Sequence, residues 1–218
     1  MAHSDLFISR YSLIRERKII VNGKEIMEEK IDAGLPAFLS SVYKTSGLKY
    51  PKFYKMDLLS KLGFMTSTFL VESGALLKPY DPDKVAIVVS NSESSLETDH
   101  NYYNTISEPD HYYPNPALFV YTLPNLLIGE ISIKYALKGE STFFVSRQPD
   151  FETLCTYCSW LLQNTDTQAV MTGWIDLDPL HNYESILFLI EKQDQPARQE
   201  NAWPFTSNTM TTLYRAIN

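Results

Sequence analysis

Val85-Ala86-Ile87-Val88-Val89 is the stretch on which the fold turns. Its five residues are all apolar, and four of them are β-branched. A run with no polar alternation reads as a strand buried on both faces, as in a parallel sheet covered by helices. Downstream, Thr142-Phe143-Phe144-Val145-Ser146, Ala169-Val170-Met171-Thr172-Gly173-Trp174 and Ile186-Leu187-Phe188-Leu189-Ile190 read as further strands. Helical spacing separates them. Met56, Leu59, Leu62, Phe64, Phe69, Leu70 and Leu76 predict a long helix over residues 56–77. Leu126, Leu127, Ile131, Ile133 and Tyr135 predict another over 125–137, with Gly139 as its stop. Pro149, Asp150 and Glu152 open a third, reaching about Gln163. A short helix is expected over 98–107 and a proline-rich loop over 108–116. Upstream, residues 6–14 and 18–22 read as strands, Asn22-Gly23 as a hairpin turn, and 35–46 as a helix. The alternation predicts an α/β sheet with helices on both sides.

The chain has 218 residues, 44% of them hydrophobic and 21% charged, which suits one globular unit and excludes disorder. No apolar run reaches the ~18–20 residues that span a bilayer. Met-Ala-His-Ser-Asp at the start lacks the basic and apolar signature of a signal peptide, so a cytoplasmic location is expected. The net charge of −7 is unevenly spread: residues 1–61 carry +4 and residues 62–218 carry −11. So acidic a chain is not expected to bind nucleic acid. The last 27 residues, from Lys192, are polar and hold Pro196 and Pro204; they read as an extension that wraps a partner.

Few motifs carry chemistry. Cys155 and Cys158 form a Cys-x-x-Cys pair, but no second pair exists, and both fall on one helix face beside Leu154, Leu161 and Leu162. Buried, inert thiols are the expectation. His100 and His111 sit in polar, tyrosine-rich loops without metal-ligand spacing, so neither metal nor cofactor is expected. Neither a glycine-rich phosphate loop nor a Gly-x-Ser-x-Gly elbow is present. Ser90 to Ser95 follow the carboxyl end of a buried strand, where α/β sheets place ligand crevices.

Pro116 to Ser146 resembles the stretch before the active site of the β-ketoacyl-ACP synthases, in the thiolase-like superfamily. The matching features are Thr122-Leu123-Pro124-Asn125 before a helix, Gly139-Glu140, and the strand that follows. Strand 85–89 with its Ser-Asn loop, the helix from Tyr54 to Leu77, and Met171-Thr172-Gly173-Trp174-Ile175-Asp176 fit as well. The likeness spans about residues 50–191, and more loosely starts at residue 6. It is similar to the half-length N-terminal domains of bacterial pigment and aryl-polyene gene sets.

The resemblance implies a mixed five-stranded sheet between helices, with residues 1–191 as a ketoacyl-synthase-like N-terminal domain and 192–218 as a C-terminal extension. The family's nucleophilic cysteine lies at a helix N-terminus, where the dipole favours a thiolate. That place falls on Gln148, give or take one residue. The family's two histidines and lysine belong to a C-terminal half expected to be absent here. The implied role is a non-catalytic, chain-length-factor-like subunit in fatty-acid, polyketide or aryl-polyene biosynthesis. It would act as a homodimer or as a heterodimer with a full ketosynthase. Phe143 and Phe144 would lie on the dimer strand. Lys44, Lys49, Lys52, Lys55 and Lys61 would meet an acidic acyl carrier protein. Two alternatives stay open: an active 3-oxoacyl-ACP synthase or acyltransferase using Ser90, Ser92, His100 or His111, and an acyl-chain binding module.

Overall fold

A computed structural model of the chain describes residues 5–29, 34–192 and 202–216. One mixed sheet organises it. Its strands are β1 (Leu6–Arg15), β2 (Lys18–Val21), β3 (Lys24–Glu28), β4 (Val85–Asn91), β5 (Ser141–Val145), β6 (Ala169–Leu177), β7 (Tyr183–Lys192) and β8 (Trp203–Pro204). The order is β3-β2-β1-β7-β6-β4-β5, with β8 beside β1. β4, β5 and β6 run parallel, while β7 is antiparallel to both β6 and β1.

The sheet therefore has eight strands where five were expected. β1-β7-β6-β4-β5 forms a continuous five-stranded centre, and the hairpin strands β2 and β3, with β8, add to it. The hairpin forms because Asn22 (φ 50°) and Gly23 (φ 78°) accept the left-handed turn that a two-residue connection needs.

β4 is buried along its whole length, as its apolar run requires. Val85, Ile87 and Val89 enter one core and Ala86 and Val88 the other. Met171 and Leu189 lie on the first side, and Val170, Trp174, Phe188 and Ile190 on the second. The first face is covered by α1 (Gly34–Thr45), α2 (Leu58–Leu70) and α5 (Leu126–Tyr135). Between β4 and α5 lie two short helices, α3 (Leu96–Asn104) and α4 (Pro116–Val120). The second face is covered by α6 (Phe151–Asn164) and α7 (Ser207–Arg215).

Three helix limits differ from the expectation, each for a local reason. The helix expected to reach residue 77 ends at Leu70, because Glu72 (φ 49°) and Gly74 (φ 97°) break it into a 3₁₀ turn over Glu72–Leu77. α5 stops on Ala136, itself left-handed (φ 56°), rather than on Gly139. Gly139 serves a different end: a Cβ there would strike the Val85 carbonyl. α6 begins one residue after its cap, Asp150, so Pro149 lies just outside it.

The described part of the tail packs on this chain's own sheet. Trp203 and Pro204 pair with Ile8 and Phe7. Phe205 is fully buried, and Met210 and Leu213 join the same core. Tyr214 donates its hydroxyl to Glu184 (2.5 Å), and the Arg15 guanidinium lies 4.5 Å over the Tyr214 ring. Residues 193–201, with Pro196, lie outside the described residues.

Candidate functional site

The carboxyl ends of β4, β5 and β6 meet at one edge of the molecule, and their loops form the candidate site. Asp176, near the end of β6, organises it. Its Oδ1 accepts from the Ser92 amide (2.9 Å) and its Oδ2 from the Ser92 hydroxyl (2.7 Å). Asn91 and Ser94 bond reciprocally: the Asn91 amide group donates to Ser94 O, and the Ser94 amide donates to Asn91 Oδ1. Ser94 takes a left-handed conformation (φ 54°) to close that turn. The Ser90 hydroxyl is buried and donates to Gly173 O (3.4 Å).

These bonds hold the loop. His100 and His111 are exposed, and no hydrogen bond among the described residues links either to Ser90 or Ser92. Nucleophilic serine catalysis needs an adjacent base to take the hydroxyl proton. Here the Ser92 hydroxyl is committed to Asp176 and the Ser90 hydroxyl to a backbone carbonyl.

β5 leads directly to the second part of the site. Ser146 donates its amide to Asn91 O (2.9 Å), tying the two loops together. Gln148 is exposed and sits three residues before the first turn of α6. Asp150 caps that helix. It accepts from the Thr153 amide (3.0 Å) and the Thr153 hydroxyl (2.7 Å), and the backbone bond holds its carboxyl below the ordinary range. The anion-stabilising end of α6 thus already carries a fixed carboxylate.

The two cysteines lie further along α6. Cys158 is fully buried, and burial pushes its thiol up to about 12. Cys155 is half-buried and also raised, chiefly by burial. Neither offers a thiolate near neutral pH.

The lysines divide. Lys44, Lys49 and Lys55 are exposed on α1 and the segments after it. Lys52 instead pairs with Glu130 (2.9 Å), a carboxylate buried on α5 that also receives the Tyr121 hydroxyl (2.7 Å). Lys61 is half-buried on α2, and burial lowers its pKa. Asp57, which caps α2 and accepts from Thr98, lies among the charges near it.

Among the described residues β5 pairs only with β4, which leaves its other edge open there. Phe143 packs into the first core and Phe144 into the second, with the Phe144 and Tyr157 rings 5.5 Å apart. An apolar groove lined by Phe144, Thr156, Tyr157 and Trp160 runs beside this strand.

Asp176 and Glu130 were not singled out in the sequence. Asp176 ends a buried strand run, which was a usable signal. Glu130 had none, since its partners Lys52 and Tyr121 come from other elements. Among the described residues, no group of histidine, cysteine and carboxylate side chains is placed to hold a metal ion, and no helix is long and apolar enough to cross a membrane.

No protein-family model matches the chain. A protein of Streptomyces virginiae named as a polyketide beta-ketoacyl synthase is 25% identical over 103 residues, covering 44% of this chain and 24% of that protein. Among solved structures, the ishigamide ketosynthase/chain length factor superposes with a TM-score of 0.60 at 14% identity, over 90% of this chain and 63% of that one. The ketosynthase ApeO in complex with its chain length factor ApeC, from Xenorhabdus doucetiae, gives 0.54 at 12% identity, over 88% and 80%. A type II polyketide acyl carrier protein in complex with its ketosynthase gives 0.58 at 13% identity, over 88% and 63%. The chain thus has the fold seen in ketosynthase/chain-length-factor structures. It spans less than two thirds of the length of most of these relatives.

Proposed function

We propose that this chain is a non-catalytic, chain-length-factor-like subunit that works beside a ketosynthase in bacterial fatty-acid, polyketide or aryl-polyene-type biosynthesis in the cytoplasm. One observation carries the reading. At the α6 N-terminus, where the resemblance puts a nucleophilic cysteine, the chain has Gln148 and the capping carboxylate of Asp150. The helix end that would favour a thiolate is occupied by a permanent anion. The fold supports the same reading, since its counterparts include ketosynthases in complex with chain length factors.

The open edge of β5, with Phe143 and Phe144 rooted in the two cores, is the proposed subunit contact. Lys44, Lys49 and Lys55 form the proposed carrier-docking patch, with Lys52 and Lys61 held back by their own environments.

The test uses the full chain, a candidate partner ketosynthase from the same organism, and malonyl-loaded carrier protein. The chain alone is expected to release no carbon dioxide and form no ketoacyl product. The ketosynthase is expected to gain activity or a defined product length when the chain is added. Gln148→Cys is expected to stay inactive alone, because the adjacent Asp150 carboxylate disfavours a second anion there. Turnover by the purified wild-type chain, or a ketosynthase indifferent to its presence, refutes the proposal.

A further inference from the structure

The loop after β4 and the turn between β6 and β7 are joined twice at the carboxyl end of the sheet. The inner tie is the pair of bonds from Ser92 to Asp176. The outer tie sets His181 Nε2 against Glu97 Oε1 (3.3 Å) at the start of α3. The two ties differ in kind. Hydroxyl and amide donors keep their protons near neutral pH, whereas an imidazole changes charge between about pH 5 and 8. The cleft lined by Glu93, Asp176, Asp178 and Asn182 takes a wall from each side of the outer tie.

The turn is braced from within. Asp178 Oδ1 accepts from the Leu180 amide (2.8 Å) and the Asn182 amide (2.9 Å), and its Oδ2 accepts from the Asn182 side chain (2.6 Å). The His181 amide donates to Asp178 O (2.9 Å). Among the described residues, the Glu97 contact is the one hydrogen bond that ties residues 178–182 to another element. Burial does not hold the tip down, because Leu180 is 85% exposed. His181 is left-handed (φ 64°), a conformation that costs a non-glycine residue free energy. A unit braced within and tied outward at one point moves as a body when that point lets go.

The charges around the tie set its sign. The Glu97 side chain is largely buried and also accepts from Asn101 (2.8 Å) and Thr98 (3.3 Å). Lys61 and Asp57 of α2, of opposite charge, both act on Glu97, and Asp178 acts on His181 from within the turn. A charged imidazole thus meets carboxylates on α3 and on its own turn. A hydrogen bond to an ionised partner is strengthened when the donor is charged too, so the tie is tightest below the imidazole range and loosest above it.

We infer that residues 178–182 form a flap that His181 latches to Glu97, closing the cleft beside Asp176 in mildly acidic solution and releasing it as pH rises. No partner is needed, so the inference stands or falls apart from the subunit reading. The test puts a nitroxide on Leu180→Cys of the full chain, in a Cys155→Ser background with Cys158 fully buried. Paramagnetic broadening of the α3 amides over residues 96–101 is read by NMR at about pH 5.5 and about pH 8. The broadening is expected to be at least twice as strong at the lower pH. In His181→Asn, whose new residue tolerates the left-handed backbone, it is expected to be weak at both. Glu97→Gln is expected to lose the pH response as well. Equal broadening at the two pH values in the otherwise wild-type chain overturns the flap, as does a response that survives in His181→Asn. A response that survives in Glu97→Gln assigns the imidazole to Asp178 and overturns the latch. A loss of broadening that coincides with shifts of the β4 amides means unfolding and overturns it too.

Discussion

Two buried carboxylates show how single residues set this molecule's chemistry. Glu191 on β7 is buried and receives the Tyr80 hydroxyl, and burial raises its pKa above the ordinary 4.5. Folding then favours the protonated acid. The stability this group brings is complete below its unfolded pKa and is lost as pH rises through the raised folded value. Glu191→Gln stays neutral, so its melting temperature is expected to match wild type near about pH 4 and exceed it near about pH 8. Parallel melting curves across that range would refute the assignment. Glu130, also buried, has a basic partner in Lys52. Lys52→Ala is expected to cost about 1–3 kcal/mol by leaving a buried charge uncompensated. Lys49→Ala, on an exposed side chain, is expected to stay within about 0.5 kcal/mol. Chemical denaturation of both variants separates structural lysines from free ones. The sequence places these lysines close together but does not reveal that one is spoken for, because Glu130 lies on a helix far along the chain.

At the scale of elements, the contact between α2 and α5 depends on one missing methyl group. A Cβ on Gly63 would overlap Leu127 Cδ1 and approach Ile175 Cδ1 to 3.1 Å. Gly63→Ala is expected to cost about 1–3 kcal/mol by overpacking, or ~2–4 °C of melting temperature per kcal/mol. Adding Leu127→Ala makes room, so the double variant is expected to lose less than the two single losses together. Strict additivity by calorimetry would refute the contact. The buried strands were legible because uninterrupted runs such as 85–89 allow few other structures. The hairpin was legible because Asn22-Gly23 names its own turn. The end of α2 was not, because Leu76 and Leu77 keep the apolar spacing while the backbone at Glu72 and Gly74 breaks it.

For the whole molecule, the least legible feature was the tail. Its polar composition reads as an extension, yet Phe205, Met210 and Leu213 finish the second core. Phe205→Ala is expected to cost about 3–5 kcal/mol, as for any fully buried aromatic. A melting curve unchanged by that substitution would mean the tail is dispensable to the fold. The candidate site was legible in outline only. Ser90 to Ser95 and the Gln148 region could be placed by strand order, but Ser92 meets Asp176 across 84 residues of sequence, and no local pattern announces that pair.

The pairing of β1 with β7 has a consequence for synthesis. Ile8 lies opposite Ile190, so β1 must wait for β7, the last of the central five strands in chain order. Until β7 emerges from the ribosome, β1 and β6 each lack the neighbour that separates them in the finished sheet. Closing so long a loop slows folding and leaves apolar strand edges unpaired meanwhile. The nascent chain therefore has a long window in which it depends on being shielded from its own copies.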